Sequence, residues 1–166
     1  MLNLFSEIST VVFDIDGVLA DSSMYISDDG NMLRSMNLKD GYALRLAVKN
    51  GYGIWVISHG ASEGARVHLN RLGIENVHIG VENKKEFLLQ MNMKYGITAA
   101  SMLYMGDDIP DYAAMQLCAL PCCPCDAVPE IKQVSKYISP FAGGKGCVRD
   151  VIEKVLKLNG HWEIPE

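Results

Sequence analysis

The sequence predicts an α/β fold with a doubly wound, mostly parallel sheet, and three observations support this prediction. Short runs of β-branched and aliphatic residues alternate with longer amphipathic segments along the whole chain, as strands alternate with their connecting helices. Acidic or polar side chains directly follow several of the runs, where ligands bind in open α/β sheets. The length of 166 residues suits a single domain with its own core. We therefore expect one domain over residues 1–166, with no large cap domain.

Six short apolar runs are the predicted strands of the sheet. The first reads Thr-Val-Val-Phe and the second Gly-Ile-Trp-Val-Ile, and both are rich in β-branched or aromatic residues. The last two runs are weaker and are placed where the segments between helices leave room for a strand. In chain order the runs are residues 10–13, 53–57, 77–79, 102–105, 118–120 and 137–138.

Amphipathic segments between these runs are the predicted helices, and glycine marks the end of three of them. Gly51, Gly73 and Gly96 each follow a helical segment closely, and glycine favours the left-handed conformation that closes a helix. Pro110 stands in the first turn of a further segment, where proline is tolerated. The predicted helices are residues 41–49, 62–72, 83–95, 109–117 and 147–158.

A β-hairpin is predicted at residues 24–36, between the first strand and the first helix. The sequence Asp28-Asp29-Gly30-Asn31 separates two half-apolar arms, and a central Asp-Gly is a strong hairpin signal. The hairpin is an insertion into the parallel series. Because the chain has no room for a separate lid, this hairpin is the predicted flap over a functional site.

Composition and charge exclude several classes of function. The net charge of −5 argues against a general binder of nucleic acid or of membrane surfaces. No apolar stretch approaches the roughly 20 residues that a membrane span needs, and no signal peptide is visible at the N-terminus. We expect a cytoplasmic protein. An anionic substrate would therefore be held by a metal ion or by a local cluster of cations.

The five cysteines indicate reduced thiols, because they are odd in number and four lie within residues 118–125. Cys122-Cys123-Pro124-Cys125 could form half of a zinc site. No second pair of ligands follows at the usual spacing, so small buried apolar side chains are the favoured interpretation.

Asp14 and Asp16 end the first predicted strand, and a separation of two places both side chains on one face. Two carboxylates this close repel each other and need a cation between them or a shared proton. The alternative is a strand that meets a turn with solvated aspartates.

A second acidic cluster, Gly106-Asp107-Asp108-Ile109-Pro110-Asp111, follows the fourth strand. By itself it fits an N-capped helix with acidic residues near the favourable end of the helix dipole. Carboxylates at two separate strand ends instead predict an octahedral Mg²⁺ site with an open position for a phosphoryl oxygen.

Ser58 and Lys84 lie between the acidic clusters, after the second strand and at the start of the helix after the third. Either residue alone would be a helix cap or a solvated side chain. Together they would supply the hydroxyl and the ammonium that an attack on a phosphate monoester needs. Lys145 is a further candidate for binding an anionic substrate, with a flexible turn as the alternative. Arg66 and His68 are candidates for a sugar carboxylate, with a solvated helix face as the alternative.

These residues together carry a resemblance to a known family. Asp14-Ile15-Asp16-Gly17, Ser58, Lys84 and Gly106-Asp107-Asp108, in this order after four strands, resemble the four motifs of the haloacid dehalogenase-like superfamily, whose fold is Rossmann-like. The stretches FDIDGVLAD, KDGY, GDDIPD and AGGKGCV are similar to the 3-deoxy-D-manno-octulosonate 8-phosphate phosphatases. Phosphatases acting on nine-carbon sugar acid 9-phosphates share this pattern.

The resemblance implies a mechanism and a set of roles. Asp14 would be the nucleophile that forms an aspartyl-phosphate, and Asp16 the general acid and then the general base. Mg²⁺ would be held by Asp14, by Asp107 and by the backbone carbonyl of Asp16. Ser58 and Lys84 would bind the transferring phosphoryl group. Among the supporting residues, Asp108 would orient Lys84 or a metal-bound water, and Asp111 would cap or brace the following helix.

The resemblance also implies a homotetramer in which hairpins of neighbouring subunits help close each site, and a role in lipopolysaccharide biosynthesis. An alternative function is a catalytically silent assembly module, like the related domains fused to cytidylyltransferases that activate sialic acids. The intact carboxylates and Lys84 favour an enzyme. Where many relatives read Thr-Gly and then Arg or Glu, this chain reads Ser58-His59-Gly60, so the sequence leaves the identity of the sugar open.

Overall fold

The computed structural model describes residues 2–163, and its secondary structure follows the predicted alternation. The strands are β1 Thr10–Phe13, β2 Tyr25–Ile26, β3 Met32–Leu33, β4 Gly53–Ile57, β5 Asn76–His78, β6 Met102–Met105, β7 Leu120–Cys123 and β8 Tyr137–Ile138. The helices are α1 Leu2–Ser6, α2 Leu38–Lys49, α3 Glu63–Arg71, α4 Lys84–Tyr95, α5 Ile109–Met115, α6 Pro129–Val134 and α7 Cys147–Leu158.

Six strands form one parallel sheet in the order β5-β4-β1-β6-β7-β8. β1 lies inside the sheet and pairs with β4 on one side and with β6 on the other. All four of its residues are buried, as expected for a strand covered on both faces. The predicted α/β class with a mostly parallel sheet is confirmed.

Helices cover both faces of the sheet and enclose two apolar clusters, so the sheet is doubly wound as predicted. Val11 and Phe13 of β1 pack into the cluster that α1, α2, α3 and α7 share. Val12 points to the opposite face and packs into the cluster shared by α4, α5 and α6. This alternation follows from the period of two along a strand.

The predicted hairpin, residues 24–36, forms the flap, in which a turn joins β2 to β3. The two strands pair antiparallel, with Tyr25 opposite Leu33 and Ile26 opposite Met32. Each strand has only two residues, fewer than the predicted arms. A single antiparallel bridge between Ala20 and Met36 connects the base of the flap to the body of the domain.

The predicted strand at residues 118–120 is displaced, because β7 begins only at Leu120. The amide of Cys118 donates to the carbonyl of Met115 in the turn that ends α5, so this residue belongs to the helix end. Pro121 lies in the middle of β7 between two neighbouring strands. A proline argues against a central strand in a sequence, and this explains the misplaced prediction.

Four of the five cysteines are buried, in agreement with the interpretation that they are small apolar side chains of the core. Cys118, Cys122, Cys123 and Cys147 are buried, and Cys125 is exposed. Cys122 and Cys123 pack into the clusters on opposite faces of the sheet, so neighbouring thiols of this stretch point away from each other. The clusters of possible metal ligands in residues 2–163 include none of them.

None of the helices described above is long and apolar enough to cross a bilayer.

Candidate active site

Four neighbouring strands deliver the predicted catalytic residues to one edge of the sheet. Asp14 follows β1, Ser58 follows β4, and Asp107 lies two residues after β6. Lys84 is the first residue of α4, which follows β5. Because the strands are parallel and adjacent in the order β5-β4-β1-β6, their carboxyl ends meet at one place.

Asp14 is held by the backbone and by a buried cation. Its carboxylate accepts a hydrogen bond of 2.6 Å from the backbone amide of Ile15 and a salt bridge of 2.7 Å from Lys84 Nζ. Burial, and then the neighbouring carboxylate of Asp111, raise the pKa of Asp14 to about 7, although Lys84 acts in the opposite direction. The arrangement therefore favours a cation close to this carboxylate.

Lys84 lies between two carboxylates in the interior. Its ammonium donates to Asp111 Oδ1 at 2.7 Å as well as to Asp14, and the residue is only 2% exposed. Tyr104 of β6 donates from its hydroxyl to the same Asp111 oxygen at 2.8 Å. The second oxygen of Asp111 accepts from the backbone amide of Asp107 at 3.2 Å. Asp111 thus orients Lys84 and ties it to the loop that carries Asp107.

The roles predicted for Asp108 and Asp111 are the reverse of those in the structure. Asp108 is exposed and is the N-cap of α5, where its carboxylate accepts from the amide of Ile109 at 2.8 Å. The role of orienting Lys84 belongs to Asp111, in the first turn of α5. The physical reason is the position in the helix, since Asp111, three residues after the cap, is buried where Lys84 and Tyr104 meet it, while the capping residue stays at the surface.

Asp107 is placed to hold a metal ion together with Asp14. The carboxylates of Asp14, Asp107 and Asp111 offer oxygens that all lie within 4.8 Å of one another. Gly17 has a φ of 84°, and a Cβ at this position would overlap the carboxylate of Asp107, so only glycine lets this group approach the loop after β1. Burial, and then Asp14, raise the pKa of Asp107 to about 8. Asp111 is fully buried and accepts from three donors, whereas Asp14 lines the cavity and Asp107 is half-buried, so Asp14 and Asp107 are the fitting donors for a hard cation.

Asp16 has a cationic partner that sequence reasoning missed. Arg34 follows β3 on the flap, and its Nε donates to Asp16 Oδ1 at 2.6 Å while Nη2 donates to Oδ2 at 3.1 Å. The Arg34 side chain is 10% exposed and that of Asp16 is 37% exposed. The available signal was a single arginine in the predicted hairpin, and local pattern does not reveal that it reaches a residue 18 positions earlier.

A cavity of about 410 Å³ opens at this edge of the sheet. Asp14, Asp16 and Ser58 line it, and so do residues of the flap and of the loop after β4. Ser58 is held in place because its amide donates to the carbonyl of His78 and its carbonyl accepts from Val81. The other lining residues are Met24, Met32, Arg34, His59, Gly60 and Ala61.

The three residues predicted to bind the substrate lie outside this cavity. Arg66 is exposed on α3 and is paired with Glu63 at 2.7 Å. His68 lines a neighbouring groove between α3 and the flap. Lys145 is paired with Asp21 at 3.2 Å and lines a separate cleft at the start of α7. Within the described chain, none of the three side chains lines the cavity that contains Asp14.

Comparisons with known proteins give the family context of this site. No protein-family model matches the chain. The chain is 29% identical over 153 residues to the 3-deoxy-D-manno-octulosonate 8-phosphate phosphatase KdsC of Escherichia coli K12, covering 92% of this chain and 81% of KdsC. A proposed HAD superfamily (subfamily III A) hydrolase from Legionella pneumophila superposes with a TM-score of 0.92 at 26% identity, covering 96% of this chain and 87% of the other.

A further solved structure links the fold to ligands. The 3-deoxy-D-manno-octulosonate 8-phosphate phosphatase of Moraxella catarrhalis, in complex with a magnesium ion, a phosphate ion and KDO, superposes with a TM-score of 0.91. It is 27% identical, and the match covers 95% of this chain and 90% of that chain. In sequence and in fold the chain therefore resembles the 3-deoxy-D-manno-octulosonate 8-phosphate phosphatases, and the comparisons support a phosphatase of the haloacid dehalogenase-like superfamily.

Proposed function

We propose that this phosphatase hydrolyses a sugar-acid phosphate, with Asp14 as the nucleophile and Mg²⁺ as the cofactor. Candidate substrates are 3-deoxy-D-manno-octulosonate 8-phosphate and a nine-carbon 2-keto-3-deoxy sugar acid 9-phosphate. The observation that carries the proposal is the contact of Asp14 with Lys84 at 2.7 Å, with Asp16 and Ser58 lining the same cavity. The relatives named above support the substrate class.

Asp14 would attack phosphorus and form an aspartyl-phosphate as the bond from phosphorus to the sugar oxygen breaks. Asp16 would donate a proton to the departing sugar oxygen and then take a proton from the water that cleaves the intermediate. Lys84 and the hydroxyl of Ser58 would hold the non-bridging oxygens. These donors compensate the repulsion between an anionic phosphate and the attacking carboxylate.

Asp14, Asp107 and the backbone carbonyl of Asp16 would hold the Mg²⁺. When bound, the ion supplies positive charge for the phosphoryl oxygens. Asp111 contributes indirectly, because it fixes Lys84 through Oδ1 and the amide of Asp107 through Oδ2. Asp107 would thus serve the metal and Asp111 the ammonium, while Asp14 would contact both.

A screen of phosphate release tests the proposed function. Eight- and nine-carbon keto sugar acid phosphates should be hydrolysed faster than hexose and nucleotide phosphates, and excess chelator should remove the activity until Mg²⁺ is added. Preference for hexose or nucleotide esters would reject the sugar-acid substrate. Full activity in chelator would reject the metal. A folded protein without turnover on any ester would favour the alternative of an assembly module.

Mg²⁺ should stabilise the fold more at pH 8.5 than at pH 6. The pKa values of Asp14 and Asp107 are raised to about 7 and about 8 from an ordinary value of 3.8. A carboxyl whose pKa is raised in the folded state stabilises the metal-free fold at low pH, and this contribution is lost as the pH rises through the folded pKa. Mg²⁺ needs the ionised forms, which dominate above pH 8.

Thermal unfolding with and without Mg²⁺ at the two pH values measures this effect. The shift in midpoint produced by Mg²⁺ should be clearly larger at pH 8.5. An equal shift at both pH values would show that the ion does not bind to these carboxylates.

We further propose that the chain forms a homotetramer through the flap. Tyr25, Ile26, Met32 and Leu33 are 72%, 70%, 57% and 63% exposed, an unusual amount of apolar surface for a two-stranded hairpin. Burial of these side chains between subunits would stabilise the flap. Analytical ultracentrifugation should show a tetramer, and Ile26→Asp should shift the protein to smaller species. A wild-type monomer at working concentration would contradict the proposal.

A further inference from the structure

Arg34 is the permanent cation that the flap brings into the catalytic cavity. Lys84 is buried, and its charge is neutralised by the carboxylates of Asp14 and Asp111. Among the described residues that line the cavity, Arg34 alone is a lysine or an arginine. Arg34 is paired with Asp16, the residue that would protonate the departing oxygen, so in the proposed mechanism its guanidinium lies close to the leaving group.

The guanidinium uses only part of its hydrogen-bonding capacity in the ion pair. Arginine has five N–H groups in a planar fork. Asp16 takes the side edge formed by Nε and Nη2, and no further acceptor for Arg34 is found within residues 2–163. The end edge, formed by Nη1 and the second hydrogen of Nη2, stays available. This edge has the geometry that binds a second carboxylate through two parallel hydrogen bonds.

Gly60 keeps the space around the ion pair open. A Cβ at this position would lie 3.1 Å from Asp16 Oδ2, 3.5 Å from Arg34 Nη2 and 3.6 Å from Ser58 Oγ. Any larger side chain pointing the same way would enter the space between these three groups. The loop after β4 thus leaves the pair of Asp16 and Arg34 accessible from the cavity, whose remaining lining is largely apolar or small.

We infer that Arg34 is a specificity-determining residue that binds a carboxylate of the leaving group through its end edge while its side edge holds Asp16. The inference rests on the proposed function and deepens it. A substrate with an acidic leaving group would join its carboxylate to the guanidinium that also contacts Asp16. A neutral sugar phosphate would leave the end edge without an anionic partner. Selection for sugar acids would therefore reside on the flap.

The test compares wild type with Arg34→Gln and Arg34→Lys on three esters. These are a 2-keto-3-deoxy sugar acid phosphate, a neutral hexose 6-phosphate and p-nitrophenyl phosphate, which has no carboxylate. A hydrogen bond between charged groups contributes about 1.5–3 kcal/mol, so Arg34→Gln should lower kcat/KM for the sugar acid phosphate by about 10- to 100-fold, mainly through KM. The loss of the ion pair with Asp16 should affect all three esters alike, so the readout is the ratio of kcat/KM for the sugar acid phosphate to kcat/KM for the hexose phosphate, which should fall by about 10- to 100-fold. The kcat/KM of Arg34→Lys for the sugar acid phosphate should lie between the values of wild type and Arg34→Gln, because lysine keeps the charge and loses the planar fork of donors.

Inhibition by the free sugar acid isolates the carboxylate contact. With p-nitrophenyl phosphate as substrate, the inhibition constant of the sugar acid should rise in Arg34→Gln by about the same factor as KM. Arg45→Gln is the matched control, since Arg45 is an exposed arginine on α2 that lines none of the cavities at the site. It should behave as wild type.

Two results would overturn the inference. Equal losses on all three esters would mean that Arg34 acts only through Asp16 or on the phosphoryl group, and unchanged kinetics in both variants would mean that it does not contact the substrate. If circular dichroism shows that Arg34→Gln does not fold, Arg34→Lys takes its place. A ratio of sugar-acid to hexose turnover in Arg34→Lys equal to that of wild type would then reject the contact of the guanidinium with the carboxylate of the substrate. A wild type that hydrolyses no ester would reject the proposed function, which is a separate outcome.

Discussion

Asp14→Asn should abolish hydrolysis of every phosphate ester and leave the fold intact. Asparagine has nearly the same shape, and its single carbonyl oxygen can keep one of the two contacts, with the amide of Ile15 or with Lys84. It lacks the anionic oxygen that would attack phosphorus, and we expect kcat to fall by about 10⁴-fold or more, as when other nucleophiles are removed. Phosphate release measures the loss, and circular dichroism with thermal unfolding checks the fold.

Asp28→Asn is the matched control for this substitution, because Asp28 is an exposed aspartate in the turn of the flap. It should retain normal turnover. Turnover in Asp14→Asn within tenfold of wild type would exclude Asp14 as the nucleophile.

Lys84→Met should destabilise the metal-free protein by about 3–5 kcal/mol, which is typical when one partner of a buried ion pair is removed. Methionine fills a similar volume, but Asp14 and Asp111 would lose the ammonium that now contacts both at 2.7 Å. Turnover should also fall by about 10²- to 10³-fold, because a fixed donor to the transferring phosphoryl group is gone. Urea unfolding at pH 8 and phosphate release measure the two effects.

Lys85→Met is the control for this prediction, since Lys85 is the exposed neighbour on the same helix. Its stability and turnover should stay close to those of wild type. Mg²⁺ should restore part of the stability of Lys84→Met, because the ion would also neutralise the carboxylates. If Lys84→Met unfolds at the same urea concentration as wild type without metal, Lys84 does not balance the charge of this cluster.

Much of the fold could be predicted from the sequence because its signals are local. The bounds of β1, β4 and β6 agree with the predicted runs, since buried strands of a parallel sheet are continuous apolar segments. The bounds of α7 also agree, because its apolar residues repeat with helical spacing. The short α6 was not predicted, and six residues are too few for a periodic pattern to appear.

The candidate site was only partly predictable. Asp14, Ser58 and Lys84 follow strands, and the parallel order of the sheet is enough to bring their positions together. The difference between Asp108 and Asp111 depends on where α5 begins, because the helix start decides which of the two is the cap and which lies in the first turn. Sequence-based helix boundaries do not have that accuracy.

The sequence by itself determined the fold class and the positions after four strands where the candidate catalytic residues lie. Both follow from hydrophobic periodicity and from the rule that parallel strands share one functional edge. Only the tertiary structure decided which groups pair there. The contacts of Arg34 with Asp16 and of Tyr104 and Lys84 with Asp111 join residues that are distant in the chain or on different elements. Such contacts arise from the packing of the flap and of α4 and α5 against the sheet, and no local pattern encodes them.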